Sequence, residues 1–550
     1  MNGFDDSARS MSLVAFMAVG TIALLLCVMS GPDRDDLEEF YAGSRGLSPR
    51  RAGFALAGDY LSAATVLGTT GIIALTGYDG MILALSITLS LVLLMFLLAE
   101  PLRNVGGFTM GDLFVHRAPG RAVRITACAT TIAALVPMMV VQLASSGDLL
   151  AFILGFDSSL FRTGAIIGLG ALMIGYAAIG GMKGTALIQI VKTVVLLVAS
   201  FTIAVLVMSR FGWDTGALLS AARQGSGAGA AFLGSGLQFD GSGLDMVSSE
   251  LTVVLGAACL PHVTMRLTSA PSAQAVRRTM SWAVSVVAGI CLLLVVIGFG
   301  TAAFVGHERI TAAGASGNSA ILQVTGAVAS GGRLGALVVT TMTTAIFLTL
   351  LASVAGMILA CANSLAHDLF AHGLHGVRDP ARKPLPGLSE MRTAQFSATV
   401  VGILATTLAV VARHWNVQAL ATLSFCVGAS ALAPALIYSM FWRRFTRTGL
   451  LSTLIVGTGT VMVLITGTNL VSGSPSSVFP DLDFNWYPYT TTGLVSVPAG
   501  FLAGWLGTVL PRGTAPAARR LYQGEEPRIL AGAVPAGAPP AATAPTPHGG

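Results

Sequence analysis

The chain has 550 residues, 54% of them apolar and only 10% charged, with a mean hydropathy of +0.77 and a formal net charge of +6. Soluble domains carry roughly a quarter charged residues, so the composition excludes an ordinary soluble enzyme and points to an all-α polytopic membrane protein. The small basic excess is sorted by membrane side and forms no one-faced stripe, which excludes a nucleic-acid binder.

The opening decapeptide MNGFDDSARS is not the basic start of a secretory signal, so the apolar run behind it is predicted to be a retained first span. Crossing the hydrocarbon takes about 20 residues. Thirteen runs meet that need, near 11–30, 51–76, 81–101, 122–155, 160–182, 183–209, 246–262, 279–305, 334–370, 392–412, 417–441, 450–468 and 490–510. The fourth and ninth are long enough to continue beyond the bilayer, and the seventh is short.

With the N-terminus outside, 23 of the 31 basic residues fall on the inner side, as the positive-inside rule requires. The C-terminus is then cytoplasmic. In this topology spans two to six and spans seven to eleven enter the membrane in opposite senses, the arrangement of inverted-repeat transporters. The expected organisation is an outer N-terminus, first span and loop (1–50), a ten-helix core (51–441), two further spans (442–510) and a disordered Ala/Pro-rich tail (511–550).

The six cysteines all lie in apolar segments without metal or disulfide spacing and read as packing residues. His367, His372 and His375 lack the i, i+4 pairing of a zinc site and read as solvated loop residues. The glycine-rich 225-GSGAGAAFLGSG-236 follows no predicted strand and lacks GxxxxGK[ST], so it reads as a flexible connector.

Function is most visible in the polar residues of the spans. In 57-AGDYLSAATVLGTTG-71, Gly58, Leu61 and Ser62 stand at i, i+3, i+4 and share a helix face. If the helix unwinds there, the freed carbonyls of Gly58 and Leu61 offer hard oxygen ligands to a cation. The alternative is a small-residue packing face. Asp59 either supports that site or pairs structurally with a cytoplasmic arginine. In the ninth span Thr349, Ala352 and Ser353 repeat the spacing, and their hydroxyls either complete an oxygen cage or bond back to their own helix. Gln142 and Gln189 read as interhelical hydrogen-bonding groups, and Lys192 as a snorkelling residue.

Longer stretches resemble the sodium:solute symporters, most closely the branch that imports acetate and related monocarboxylates. They are 39-EFYAGSRGLSPRRAGFALAGDYLSAATVLGTTG-71, 77-GYDG-80, 98-LAEPLRNVGGFTMGDLFVHR-117, 176-YAAIGGMKGTALIQIVK-192, 259-CLPHVTMRLTSAPSAQAVRRT-279 and 364-SLAHDLFA-371. The resemblance runs from about residue 35 to 450. It implies a LeuT-type 5+5 inverted-repeat fold with a Na⁺ site between spans two and nine, and no organic cofactor. The ligands it implies are Gly58 and Leu61 through backbone oxygen, the Thr349 carbonyl, Ala352 and Ser353. Relatives often carry a hydroxyl where Ala352 stands, so one side-chain oxygen is missing here. A short carboxylate would meet Ser62, Thr65 and Gln142 by position beside the break and in core helix three. Pro261, His262 and Arg266 end the short seventh span, where gating or folding is expected.

The implied protein is a cell-membrane symporter for acetate or a related monocarboxylate with Na⁺. H⁺ coupling or another solute is the alternative within the family, and a transporter-like sensor the alternative from another class. The partners implied are the carboxylate, Na⁺ and the lipid bilayer, with no nucleic acid and no obligate protein partner. No HExxH, paired catalytic carboxylates or GxSxG elbow argues for an enzyme.

Overall fold

The computed structural model describes residues 6–31, 40, 41, 43, 46–156, 158–313, 317–329, 332–374, 390–414, 417–473, 477–511, 522–524, 526–530 and 532. His375 lies outside them, as do eight of the 23 inner basic residues: Arg34, Arg45, Arg378, Arg382, Lys383, Arg512, Arg519 and Arg520.

The described chain is nearly all helical, as a backbone in hydrocarbon must be when it has to satisfy its own polar groups. Ten of its helices are long and apolar enough to cross a membrane, with Ala64–Thr76 and Gly493–Val509 as shorter apolar helices. The helices that position the site are α1 (Asp6–Met29), α2 (Pro49–Tyr60), α3 (Ala64–Thr76), α4 (Tyr78–Val105), α5 (Met110–Arg117) and α6 (Arg121–Leu154). They continue with α7 (Ser159–Arg210), α8 (Gly243–Ala258), α9 (Pro261–Thr268), α10 (Ala273–Phe304) and α11 (Arg333–Asn363). The last four are α12 (Glu390–Val411), α13 (Leu420–Phe441), α14 (Arg447–Ile465) and α15 (Gly493–Val509).

Two expected spans are each split into a pair of half-helices. Pro49 starts α2, where its missing N–H costs nothing. That helix stops at Tyr60 because Leu61 leaves helical geometry at φ −81°, ψ 85°. The chain restarts as α3 through a wide turn over Ala64–Gly68. The expected seventh span breaks at Cys259–Leu260, and Pro261 opens α9. The fifth and sixth expected spans are the two arms of α7, separated at Gly181, whose φ 53° and ψ −156° are not helical. A left-handed φ suits only glycine there, and a Cβ would also meet Phe40 at 3.1 Å. Each five-helix unit therefore opens on a broken span, and the whole is a LeuT-type fold.

The first helix leans on the core through the stacked rings of Phe16 and Phe347, 4.6 Å between centroids, and through Tyr176, whose hydroxyl donates to the Gly20 carbonyl at 2.8 Å. At the centre, α11 has its apolar window 100% buried, against 28% for α1. The polar side chains of that window consequently face protein.

Three loop and end segments differ from their expected character. The 211–242 connector holds a helix at Thr215–Gly225, and Asp79 pins it by accepting the N–H groups of Gly236 and Gln238 at 3.0 and 2.8 Å. His367 is not a solvated loop residue: α11 continues as a wide helix to Leu374, and the imidazole lies 3.1 Å from Asp112. Arg124 bonds both Asp112 and Asp368, at 2.8 and 3.0 Å, closing a polar cluster at that end of the bundle. Burial alone would raise the Asp112 carboxyl. His367, the Phe108 N–H and Arg124 together hold it well below the usual carboxylate range. In the tail, Tyr522 is buried, its ring 4.5 Å below the Arg117 guanidinium and its hydroxyl on the Met440 carbonyl.

Candidate functional site

Breaking α2 frees backbone groups that would be costly to leave unpaired inside the bundle. The Leu61 N–H still reaches back to Ala57 at 2.9 Å, and the Ser62 N–H turns to Tyr60 at 3.1 Å. Ser62 then caps α3, its hydroxyl accepting the Thr65 N–H at 3.1 Å. The Ala63 N–H donates to Gln142 Oε1 at 3.3 Å, across from α6.

On the carbonyl side the partner is a charge. Lys192 Nζ donates to the Gly58 carbonyl at 2.6 Å and to the Ser353 hydroxyl at 2.7 Å. It is fully buried, so the snorkelling expected of it is overturned: its apolar stem lies within the bundle and its ammonium is spent on the break. Glycine at 58 is what permits this approach. A Cβ there would lie 2.6 Å from Thr193 Oγ1 and 2.7 Å from the Gln189 carbonyl.

Gln189 joins the same two helices. Its amide Nε2 donates to Asp59 Oδ1 at 2.6 Å and to the Ala352 carbonyl at 2.9 Å. The other Asp59 oxygen pairs with Arg266 of α9, and the two side chains are 1% and 7% exposed. Asp59 is thus the structural partner of an arginine. Arg266 counts with the inner basic residues by sequence position, yet it is an interior charge joining both broken spans.

All five cation-ligand candidates are buried around this point. Gly58 and Ser353 meet at Lys192, and Ala352 offers its carbonyl to Gln189. Thr349 bonds back to Ala345 at 2.6 Å, the second of its two expected behaviours. Leu61 marks the non-helical corner itself.

The substrate candidates lie on the other side of the break. A cavity of about 1020 Å³, counting its open mouth, is lined by Ala63, Ala64, Thr65 and Gln142, and farther out by Gln238 and Asn318. Ser62 lines a smaller adjoining hollow that shares Thr65 and reaches His262. Gln142 therefore does two things, walling the cavity and holding the Ala63 N–H. Asp59, His262, Arg266 and Asn363 surround a third hollow below the break, of about 280 Å³. Both amide atoms of Asn363 and His262 Nδ1 find no hydrogen-bond partner among the described residues.

Some functional neighbours carried no weight in the sequence. Glu250 is the only ionisable side chain on the large cavity's wall among the described residues. An acid in the middle of α8, beyond the Asp245 of its first turn, was the available signal. For α7 the signal was a face: Gln189, Lys192 and Thr193 stand at i, i+3, i+4, the same spacing as the two faces they join.

Comparison with known proteins adds three findings. The family model described as "Sodium:solute symporter family" matches residues 40–457. The chain is 33% identical to the "Uncharacterized symporter YwcA" of Bacillus subtilis over 506 residues, covering 91% of this chain and 94% of that protein. It is 31% identical to the "Monocarboxylic acid transporter" of Corynebacterium glutamicum, with 92% of each covered. Among solved structures, a Na⁺-coupled sialic acid symporter in a substrate-bound outward-open state superposes with a TM-score of 0.69 at 13% identity, over 92% of this chain and 98% of that one. At that identity the likeness concerns the fold.

Proposed function

The chain belongs to the sodium:solute symporter family, and on that premise we propose that it imports a short-chain monocarboxylate, with acetate as representative substrate, across a bacterial plasma membrane by cation-coupled alternating access. The observation that carries the reading is the start of α3, which lines the large cavity. Ala63, Ala64 and Thr65 open onto the large cavity, so the positive end of a half-helix faces the space a ligand would occupy. Such ends favour carboxylates through their N–H groups and dipole.

Thr65 and Gln142 supply hydrogen-bonding groups beside that end, and Ser62 fixes the start of α3 through the Thr65 N–H. Glu250 on the same wall favours one carboxylate over two, because a second negative charge would be held near a like charge. The similarity to a monocarboxylic acid transporter supports the same substrate class.

Sodium is the coupling ion that family membership implies, through Gly58, Leu61, Thr349, Ala352 and Ser353. The alternative is a proton. One observation favours it: the Lys192 ammonium already sits on the Gly58 carbonyl and the Ser353 hydroxyl.

Uptake of labelled acetate into proteoliposomes, under an inward Na⁺ gradient or an inward H⁺ gradient at matched membrane potential, tests the reading. Concentrative uptake under at least one gradient, competed by propionate, is expected. Absence of uptake under both, or indifference to competing monocarboxylates, overturns it.

A further inference from the structure

Three of the five groups placed at the expected sodium position already accept hydrogen bonds from protein, which does not fit a sodium ion held there. A small hard cation needs several oxygen ligands free to turn toward it. Here the Gly58 carbonyl and the Ser353 hydroxyl both accept from Lys192, at 2.6 and 2.7 Å, and the Ala352 carbonyl accepts from Gln189 at 2.9 Å. Residue 352 adds no side-chain oxygen, and the Thr349 hydroxyl is turned back to Ala345. A sodium ion on these oxygens would also stand in contact with an ammonium of like charge.

We propose that the Lys192 ammonium is the resident cation of this site, so that the position the family assigns to Na⁺ is filled by a cation covalently attached to α7. Three features make it a built site. Gly58 leaves room for α7 to approach α2, and its replacement would collide with Thr193 and Gln189. Thr193 ties the preceding turn of α2 to the same helix, donating to the Phe54 carbonyl at 3.0 Å. The charges of the cluster are Lys192, Arg266 and Asp59, which together carry one net positive charge, the same as a single bound sodium would bring. The ammonium thereby does the structural work of the ion: it draws the broken α2 and the central α11 together through one oxygen from each.

The inference takes its meaning from the symporter reading, but its test needs no transport. Full-length protein in detergent is melted in sodium and in potassium medium of equal ionic strength, as wild type, Ser353→Ala and Lys192→Met. Wild type and Ser353→Ala are expected to show no sodium-specific shift. Lys192→Met, which vacates the oxygens, is expected to gain one on the order of 2 °C, the size a weakly held ion confers on a large protein. A sodium-specific shift in wild type that Ser353→Ala removes would overturn the proposal. So would a Lys192→Met protein that melts but ignores sodium. If Lys192→Met does not fold, the wild-type and Ser353→Ala pair still decides. Melts that behave as expected in a protein with no cation-driven acetate uptake would refute the symporter reading and leave the occupancy standing.

Discussion

The two broken spans are mended in opposite ways. At Cys259–Leu260 the repair is local. Pro261 has no N–H to satisfy, the Val263 and Thr264 N–H groups both return to the Leu260 carbonyl at 3.1 Å, and the Thr264 hydroxyl joins them at 3.2 Å. At Tyr60–Ala63 local bonds leave two groups that are met from afar: Gln142 of α6 takes a freed N–H and Lys192 of α7 takes a freed carbonyl. A break closed by its own chain stays the same whatever its neighbours do. A break closed by two other helices changes whenever they move, which makes the first break the one suited to sense and transmit a transport cycle.

The largest expected effect strikes the only ion pair that joins the two breaks among the described residues. Arg266→Ala leaves the buried Asp59 without its ion-pair partner, with an expected cost of about 3 kcal/mol and loss of uptake. Adding Asp59→Asn should recover most of the melting temperature, and a double variant as unstable as the single would show that Arg266 acts through packing. Next is Gly58→Ala. Its new methyl meets the Gln189 carbonyl, a backbone atom that cannot swing away, so about 3 kcal/mol and a lowered uptake rate are expected from melts and transport assays.

Gln142→Leu removes the acceptor for the Ala63 N–H at a cost of about 2 kcal/mol. Because the side chain also walls the cavity, the KM for acetate should rise more than the maximal rate falls. Smallest is Thr264→Val at the second break. The backbone bonds to Leu260 remain, so less than about 1 kcal/mol and near-normal uptake are expected. A Thr264→Val effect as large as that of Gln142→Leu would erase the contrast between the two breaks.

How much of this was readable beforehand depended on how far the decisive partner lay along the chain. The faces Gly58–Leu61–Ser62 and Thr349–Ala352–Ser353 could be seen because helical spacing is a local property, and the likeness to a known family joined them. The discontinuity of the seventh span was legible from its length and Pro261. Lys192 was misread because a lysine near the end of an isolated apolar helix has snorkelling as its least costly choice. Only the bend at Gly181 and the close approach at Gly58 turn that side chain inward, and both are properties of helix pairs. Arg266 was counted with the inner basic residues for the same reason: its counter-charge is more than two hundred residues away, on α2.

The lysine at the first break has an electrical consequence. A cation on a covalent stem is not delivered to the cytoplasm, so it could not offset the charge of the carboxylate proposed to cross. Carrying one negative charge into a cell held 100 mV negative costs about 2.3 kcal/mol, roughly a fifty-fold disadvantage in accumulation. Accumulating an anion through this protein against that potential would therefore take a mobile positive charge by another route. Currents recorded during acetate uptake would count that charge directly: none if one mobile cation travels with each anion, inward if more do.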